Sequence, residues 1–75
     1  MMHLGWIVRL TALDASGRPV AYQDFAVRES DPRRAIELVE LRSTTDVRHT
    51  VEIRGPANAE YIKSNRMRLG EVRPV

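Results

Sequence analysis

Between Leu4 and Leu13 the chain alternates, with Leu4, Trp6, Val8, Leu10 and Ala12 on one side and Gly5, Ile7, Arg9, Thr11 and Leu13 on the other. A period of two with aromatic and β-branched residues predicts a strand. Ile7 and Leu13 make its second face partly apolar, which suits a central position. Asp14-Ala15-Ser16-Gly17-Arg18-Pro19 then gathers the residue types that cap, turn and fix φ, so a turn is expected there. A second strand follows from about Val20 to Glu29, with Ala21, Gln23, Phe25 and Val27 sharing a side, and the pair reads as an antiparallel hairpin.

Ser30-Asp31-Pro32 predicts a helix start. Pro32 keeps Asp31 out of the α region, leaving its carboxylate to cap, and itself fits the first helical position. The helix should run to about Arg42. Ala35, Ile36, Leu38, Val39 and Leu41 spread over an apolar arc of roughly 220°, wider than one sheet contact needs, so a second cover is expected for part of it. Ser43-Thr44-Thr45-Asp46 reads as a loop. Val47, His49, Val51 and Ile53 then alternate with Arg48, Thr50, Glu52 and Arg54, a strand stopped by Gly55-Pro56. Asn58 can cap a short helix from Ala59 to about Asn65. Met67 to Val75 alternates weakly and fits either a fourth strand or an extended arm.

A strand–helix–strand crossover is right-handed and makes its two strands parallel. With strand 1 between strands 2 and 3 and antiparallel to both, the order is 2-1-3. The expected fold is α+β: a three-stranded mainly antiparallel sheet, with room for a fourth strand, and one helix on the face bearing Trp6, Val8, Leu10, Phe25, Val27, Val47, Val51 and Ile53. The whole of residues 1–75 is expected to be one small domain, with residues 56–75 as a short helix and C-terminal arm. The other face would carry Arg9, Thr11, Tyr22, Asp24, Arg28, Arg48, Thr50, Glu52 and Arg54, with Ile7 and Leu13 as apolar exceptions.

Composition changes this picture little. The chain has 75 residues, 43% hydrophobic and 29% charged, the mix of a soluble globular protein. The absence of cysteine excludes a disulfide framework, a cysteine zinc site and a thiol nucleophile. The longest apolar run is Trp6-Ile7-Val8, so no membrane span is expected. Met1-Met2-His3-Leu4 lacks the basic and apolar regions of a secretory signal, so a cytoplasmic protein is expected. Eleven of the twelve basic residues are Arg, a bias that a GC-rich genome also produces. Residues 48–75 hold six basic and three acidic side chains, whereas residues 1–47 hold six and seven, so the positive charge sits in the last strand and tail. This permits binding to nucleic acid but does not require it.

Residue patterns for chemistry are thin. His3 lies near the terminus, and His49 falls on the inward strand face, where a neutral histidine with one hydrogen bond is the ordinary outcome. The glycines Gly5, Gly17, Gly55 and Gly70 are dispersed, so no phosphate loop forms, and Asp14, Asp24 and Asp46 make no buried pair. No catalytic residue, metal site or cofactor is expected. Two roles remain. The first is a non-enzymatic interaction module, a homodimer using Ile36, Leu38 or Leu41 with Ile62, Leu69 and Val72, because small domains often gain buried area by self-association. The second is nucleic-acid binding, with Arg9, Arg28, Arg48, Arg54, Lys63, Arg66 and Arg68 on phosphates and Tyr22 or Tyr61 stacking. Four Arg on one sheet face are more often simply a solvated outer surface, since antiparallel sheets commonly keep one face in water.

Overall fold

The computed structural model describes residues 3–43 and 47–75. In chain order it contains β1 (Trp6–Leu13), β2 (Pro19–Val27), α1 (Pro32–Arg42), β3 (His49–Pro56), α2 (Ala59–Ser64) and β4 (Val72–Pro74). The strands make one antiparallel sheet ordered β3-β1-β2-β4. The α+β class holds, as do the central β1 and the 2-1-3 order. The C-terminal stretch resolves as a fourth strand, laid outside β2 by pairing Phe25, Ala26 and Val27 with Pro74, Arg73 and Val72. No helix among the described residues is long and apolar enough to cross a membrane.

The local signals act as their chemistry demands. Asp14 accepts from the Ser16 backbone at 2.9 Å, the Ser16 hydroxyl at 2.7 Å and the Arg18 backbone at 2.9 Å, which ties the β1–β2 turn. Asp31 caps α1 by accepting from the Arg33 N–H at 3.0 Å, with Pro32 directly after it. α1 lies on the sheet face of Trp6, Val8, Leu10, Phe25, Val27, Val51 and Ile53, and Val8, Val27, Ala35, Val39 and Val72 form the buried cluster between them. Trp6 packs against that cluster and donates its indole N–H to the Ser30 carbonyl at 2.9 Å. Each such fully buried aliphatic side chain contributes roughly 1.5–3 kcal/mol.

Several expectations need correction. β3 begins at His49, so Val47 lies ahead of the strand and is half exposed instead of sitting under α1. Arg48 lies just ahead of β3 and Arg28 just past β2, each still tied to its neighbour by one backbone bond, the Leu13 N–H to the Arg48 carbonyl at 2.8 Å and the Arg28 N–H to the Glu71 carbonyl at 3.0 Å. The loop residues Thr44, Thr45 and Asp46 lie outside the described residues. The wide apolar arc of α1 is not fully covered by those residues, and Leu41 is 74% exposed.

The largest difference lies on the far side of the sheet. That face is not one polar surface: Ile7 and Ala26 form an apolar island, capped by Ala57, Tyr61, Ile62 and Met67 in a second core. The tail therefore packs opposite α1; only β4, through Val72, joins the cluster under the helix. α2 is short, but its end is strongly built. The Met67 N–H donates to the Ile62 carbonyl and the Arg66 N–H to the Lys63 carbonyl, both at 3.1 Å, with Arg66 at φ 50°. This is the Schellman ending, whose apolar contact is the buried Ile62–Met67 pair. Gly5 lets the layers close, since a Cβ there would meet the Val27 carbonyl oxygen at 2.1 Å.

Candidate functional site

The seven cations expected on nucleic acid do not converge. The Arg9 guanidinium is committed to a fork on Asp24, Nε to Oδ1 at 2.8 Å and Nη2 to Oδ2 at 3.1 Å, and its Cζ lies 3.9 Å from the centre of the Tyr22 ring. That fork holds the Asp24 carboxyl below its ordinary value and raises Arg9. Tyr22 is thereby covered on one face by this chain's own arginine. Arg28 reaches across to the Met67 carbonyl, and Arg54 pairs with Glu52 at 3.4 Å. Among the described residues, the side chains of Arg48, Lys63, Arg66 and Arg68 are exposed and have no carboxylate partner. Three of these four follow one another around the end of α2.

The six apolar contact candidates divide as well. Ile62 and Val72 are 1% and 5% exposed, consumed by the two cores, so they offer no surface to a partner. Ile36 and Leu38 are half buried against the α1 cluster. Leu41 and Leu69 stand in solvent.

The most continuous unsatisfied feature is a strand edge that the sequence reading did not single out. The Leu13 N–H donates to the Arg48 carbonyl at 2.8 Å, and Leu13 continues the register that sets Ala12 against His49 and Thr11 against Thr50. Hydrogen-bonded and non-bonded pairs alternate in an antiparallel ladder, so Thr50 and Glu52 bond towards β1. The N–H and C=O groups of His49, Val51 and Ile53 therefore point away from the sheet. No strand among the described residues pairs with that side of β3. The regular run ends at Ile53, where the register shifts between Ile7 and Val8 and two residues of β3 advance against one of β1.

The other edge is treated differently. β4 is three residues long and ends in Pro74, both common ways of blunting an edge. Past β4, the Val75 N–H donates to the Asp24 carbonyl at 3.0 Å, which leaves only Val20 and Tyr22 of β2 facing outward before the turn. β3 has no Pro or Lys between His49 and Ile53. The signal for this was present in the sequence: an order of 2-1-3 already leaves strand 3 with one side unpaired.

Two apolar grooves also open on the surface. One of about 290 Å³ runs between α1 and the sheet, lined by Leu10, Phe25, Val39 and Val72 with Arg42 at its rim. Another of about 380 Å³ lies against α2, lined by Ile7, Pro56, Asn58, Tyr61 and Val75. In the first, Arg42 donates to the Val72 carbonyl at 3.2 Å; in the second, the Asn58 Oδ1 accepts from the Glu60 N–H at 2.8 Å. His49 places Nδ1 2.9 Å from the Val47 carbonyl. No group of three His, Asp or Glu among the described residues could hold a metal ion. Compared with family models, curated proteins and solved structures, the chain matches none of them.

Proposed function

We propose that this protein is a non-enzymatic interaction module that accepts an extended strand on the open edge of β3. The observation that carries the reading is the run His49–Ile53, regular, unguarded by Pro or Lys, and unpaired on one side. An incoming strand would satisfy the outward groups of His49, Val51 and Ile53 by the ladder that already ties β3 to β1. Val51 and Ile53 are partly buried against the α1 cluster, so a neighbour there would bury the remainder of their apolar surface along with the main-chain bonds. The test uses a synthetic peptide of residues 47–54 and amide-resolved hydrogen exchange. Thr50 and Glu52 amides should be slow throughout; those of His49, Val51 and Ile53 should be fast in the protein alone, at a concentration too low for self-association, and slow with peptide. A peptide that fails to bind at millimolar concentration, or binds without slowing those three, overturns the reading.

A second reading, nucleic-acid binding, rests on the exposed cations Lys63, Arg66 and Arg68 around the end of α2, with Arg48. Arg9 and Arg54 drop out of it because each is paired with a carboxylate, and Arg28 because its guanidinium is turned in on the Met67 carbonyl. A mixed-sequence single-stranded RNA should then bind with a log–log salt slope near −3, about 0.7 for each of four phosphate contacts, and each alanine substitution should remove one such step. No binding at low salt removes this reading and leaves the first untouched.

A further inference from the structure

We infer that the strand taken up by β3 is β3 of a second copy, paired antiparallel about a two-fold axis at Val51. This rests on the edge reading above and adds the partner and the register. The bulge decides the register. Ordinary strand geometry on the open side covers His49 to Ile53, because beyond Ile53 the strand steps out of phase with β1. A two-fold pairing that uses this whole run and no residue of the bulge must be centred on its middle residue, Val51. Centred there, Val51 faces its own copy, and His49 faces Ile53 of the other chain in both directions. These three positions carry the outward N–H and C=O groups, so each of the three facing pairs exchanges two hydrogen bonds, about six in all.

Between them Thr50 faces Glu52, also in both directions. Both side chains are exposed on the sheet face opposite α1. A hydroxyl facing a carboxylate can donate to it, whereas centring one residue further along would set Glu52 against Glu52, like charges directly opposed. Centring on Ile53 would draw Arg54 and Gly55, the out-of-phase residues, into the ladder. The Val51 register avoids both costs. The two sheets then join into one of eight strands, closed by symmetry, and both copies of the vulnerable edge are removed together.

The natural chain has no cysteine, so introduced ones report register without interference. Chains carrying Thr50→Cys are mixed with tagged chains carrying Glu52→Cys and oxidised at a concentration where sedimentation detects dimer. The inference expects the mixed disulfide to form about tenfold faster than either like pair, because facing non-bonded positions bring Cα atoms near 4.5 Å and diagonal ones leave them beyond bridging distance. Val51→Pro should abolish the dimer without removing a bond to β1, since the Val51 N–H faces outward. His49→Pro does the same with less disturbance of the core, should Val51→Pro fold poorly. Cross-linking of either like pair, position 50 to 50 or 52 to 52, as fast as the mixed one, or a dimer indifferent to both prolines, overturns the inference. A chain that stays monomeric at millimolar concentration also overturns it, and if the 47–54 peptide still binds the edge, the strand-accepting reading survives alone.

Discussion

The second core can be tested by cutting Ile62 to alanine. Ile62 is 1% exposed and lies between Ala26, Ala57 and Met67, with Ile7 and Tyr61 at the margin. Removing its outer carbons forfeits about 0.8 kcal/mol of transfer free energy per methylene, roughly 2.4 kcal/mol, before any cavity is counted. The site cannot collapse easily, because Met67 is held by the helix ending and the sheet backbone is fixed by β1 and β2. A cost of about 3–4 kcal/mol follows, within the range for buried Ile→Ala. A chain of this length has roughly 4–11 kcal/mol of stability in total, so the substitution removes about a quarter or more and lowers Tm by at least about 12 °C. Urea unfolding followed by far-UV circular dichroism, at a concentration too low for self-association, measures it directly. Leu69→Ala serves as the contrast: that side chain is 79% exposed, and its loss should change stability by no more than about 0.5 kcal/mol. An Ile62→Ala cost below about 1 kcal/mol would refute the closed second core. A separate early transition in the wild type, with α2 and β4 leaving before the rest, would refute its integration with the sheet.

Three further substitutions probe other joints. Gly5→Ala forces a Cβ against the Val27 carbonyl oxygen, with the Ile62 Cδ1 only 2.9 Å away, and should cost about 3 kcal/mol in the same unfolding assay; a neutral result would mean β1 and β2 separate freely at that end. Arg66→Gly relieves a left-handed φ of 50° and should stabilise by up to about 1 kcal/mol, whereas Arg66→Val should destabilise; equal effects would contradict the helix ending. Asp24 has a depressed folded value, so its contribution is complete above its unfolded value of 3.8 and disappears as pH falls through the lower folded value. Asp24→Asn should therefore cost about 0.2–1 kcal/mol at pH 7 and progressively less as the pH falls below 3.8; a constant difference across that window would refute the Arg9 linkage.

Element type was legible almost throughout, because each signal is local. Asp31-Pro32 acts within one turn of helix, and the alternation of Val8 with Arg9 is decided by residues side by side. The polar-face map failed where a distant segment intervened. Ile7 was seen as an apolar exception, yet nothing near it in sequence says that Ile62 and Met67 will cover it. That partnership depends on Arg66 adopting a left-handed conformation that glycine usually supplies, so the pattern of residues conceals it. The same limit explains the cations. Arg9 and Asp24 are fifteen residues apart, and their fork exists only because the hairpin register sets them face to face.

Whether a strand is central or peripheral follows from connections, not from residue type, and this is why the candidate edge had to be read from topology. β2 and β3 are joined over β1 by α1, so they flank it, and each begins with one free side. The chain uses its last residues to cover β2, and the covering strand is itself short and ends in proline. β3 also ends in a proline, Pro56, past the bulge, but no described strand covers its outer side, and between His49 and Ile53 no proline or lysine interrupts it. That β2 is covered and the His49–Ile53 run of β3 is not is what supports the proposal of a strand-accepting edge. An edge that merely escaped protection would leave a small domain prone to open-ended aggregation. The bulge beyond Ile53 points the same way: it limits pairing to five residues, enough for a defined closed contact and too few for an indefinitely sliding one.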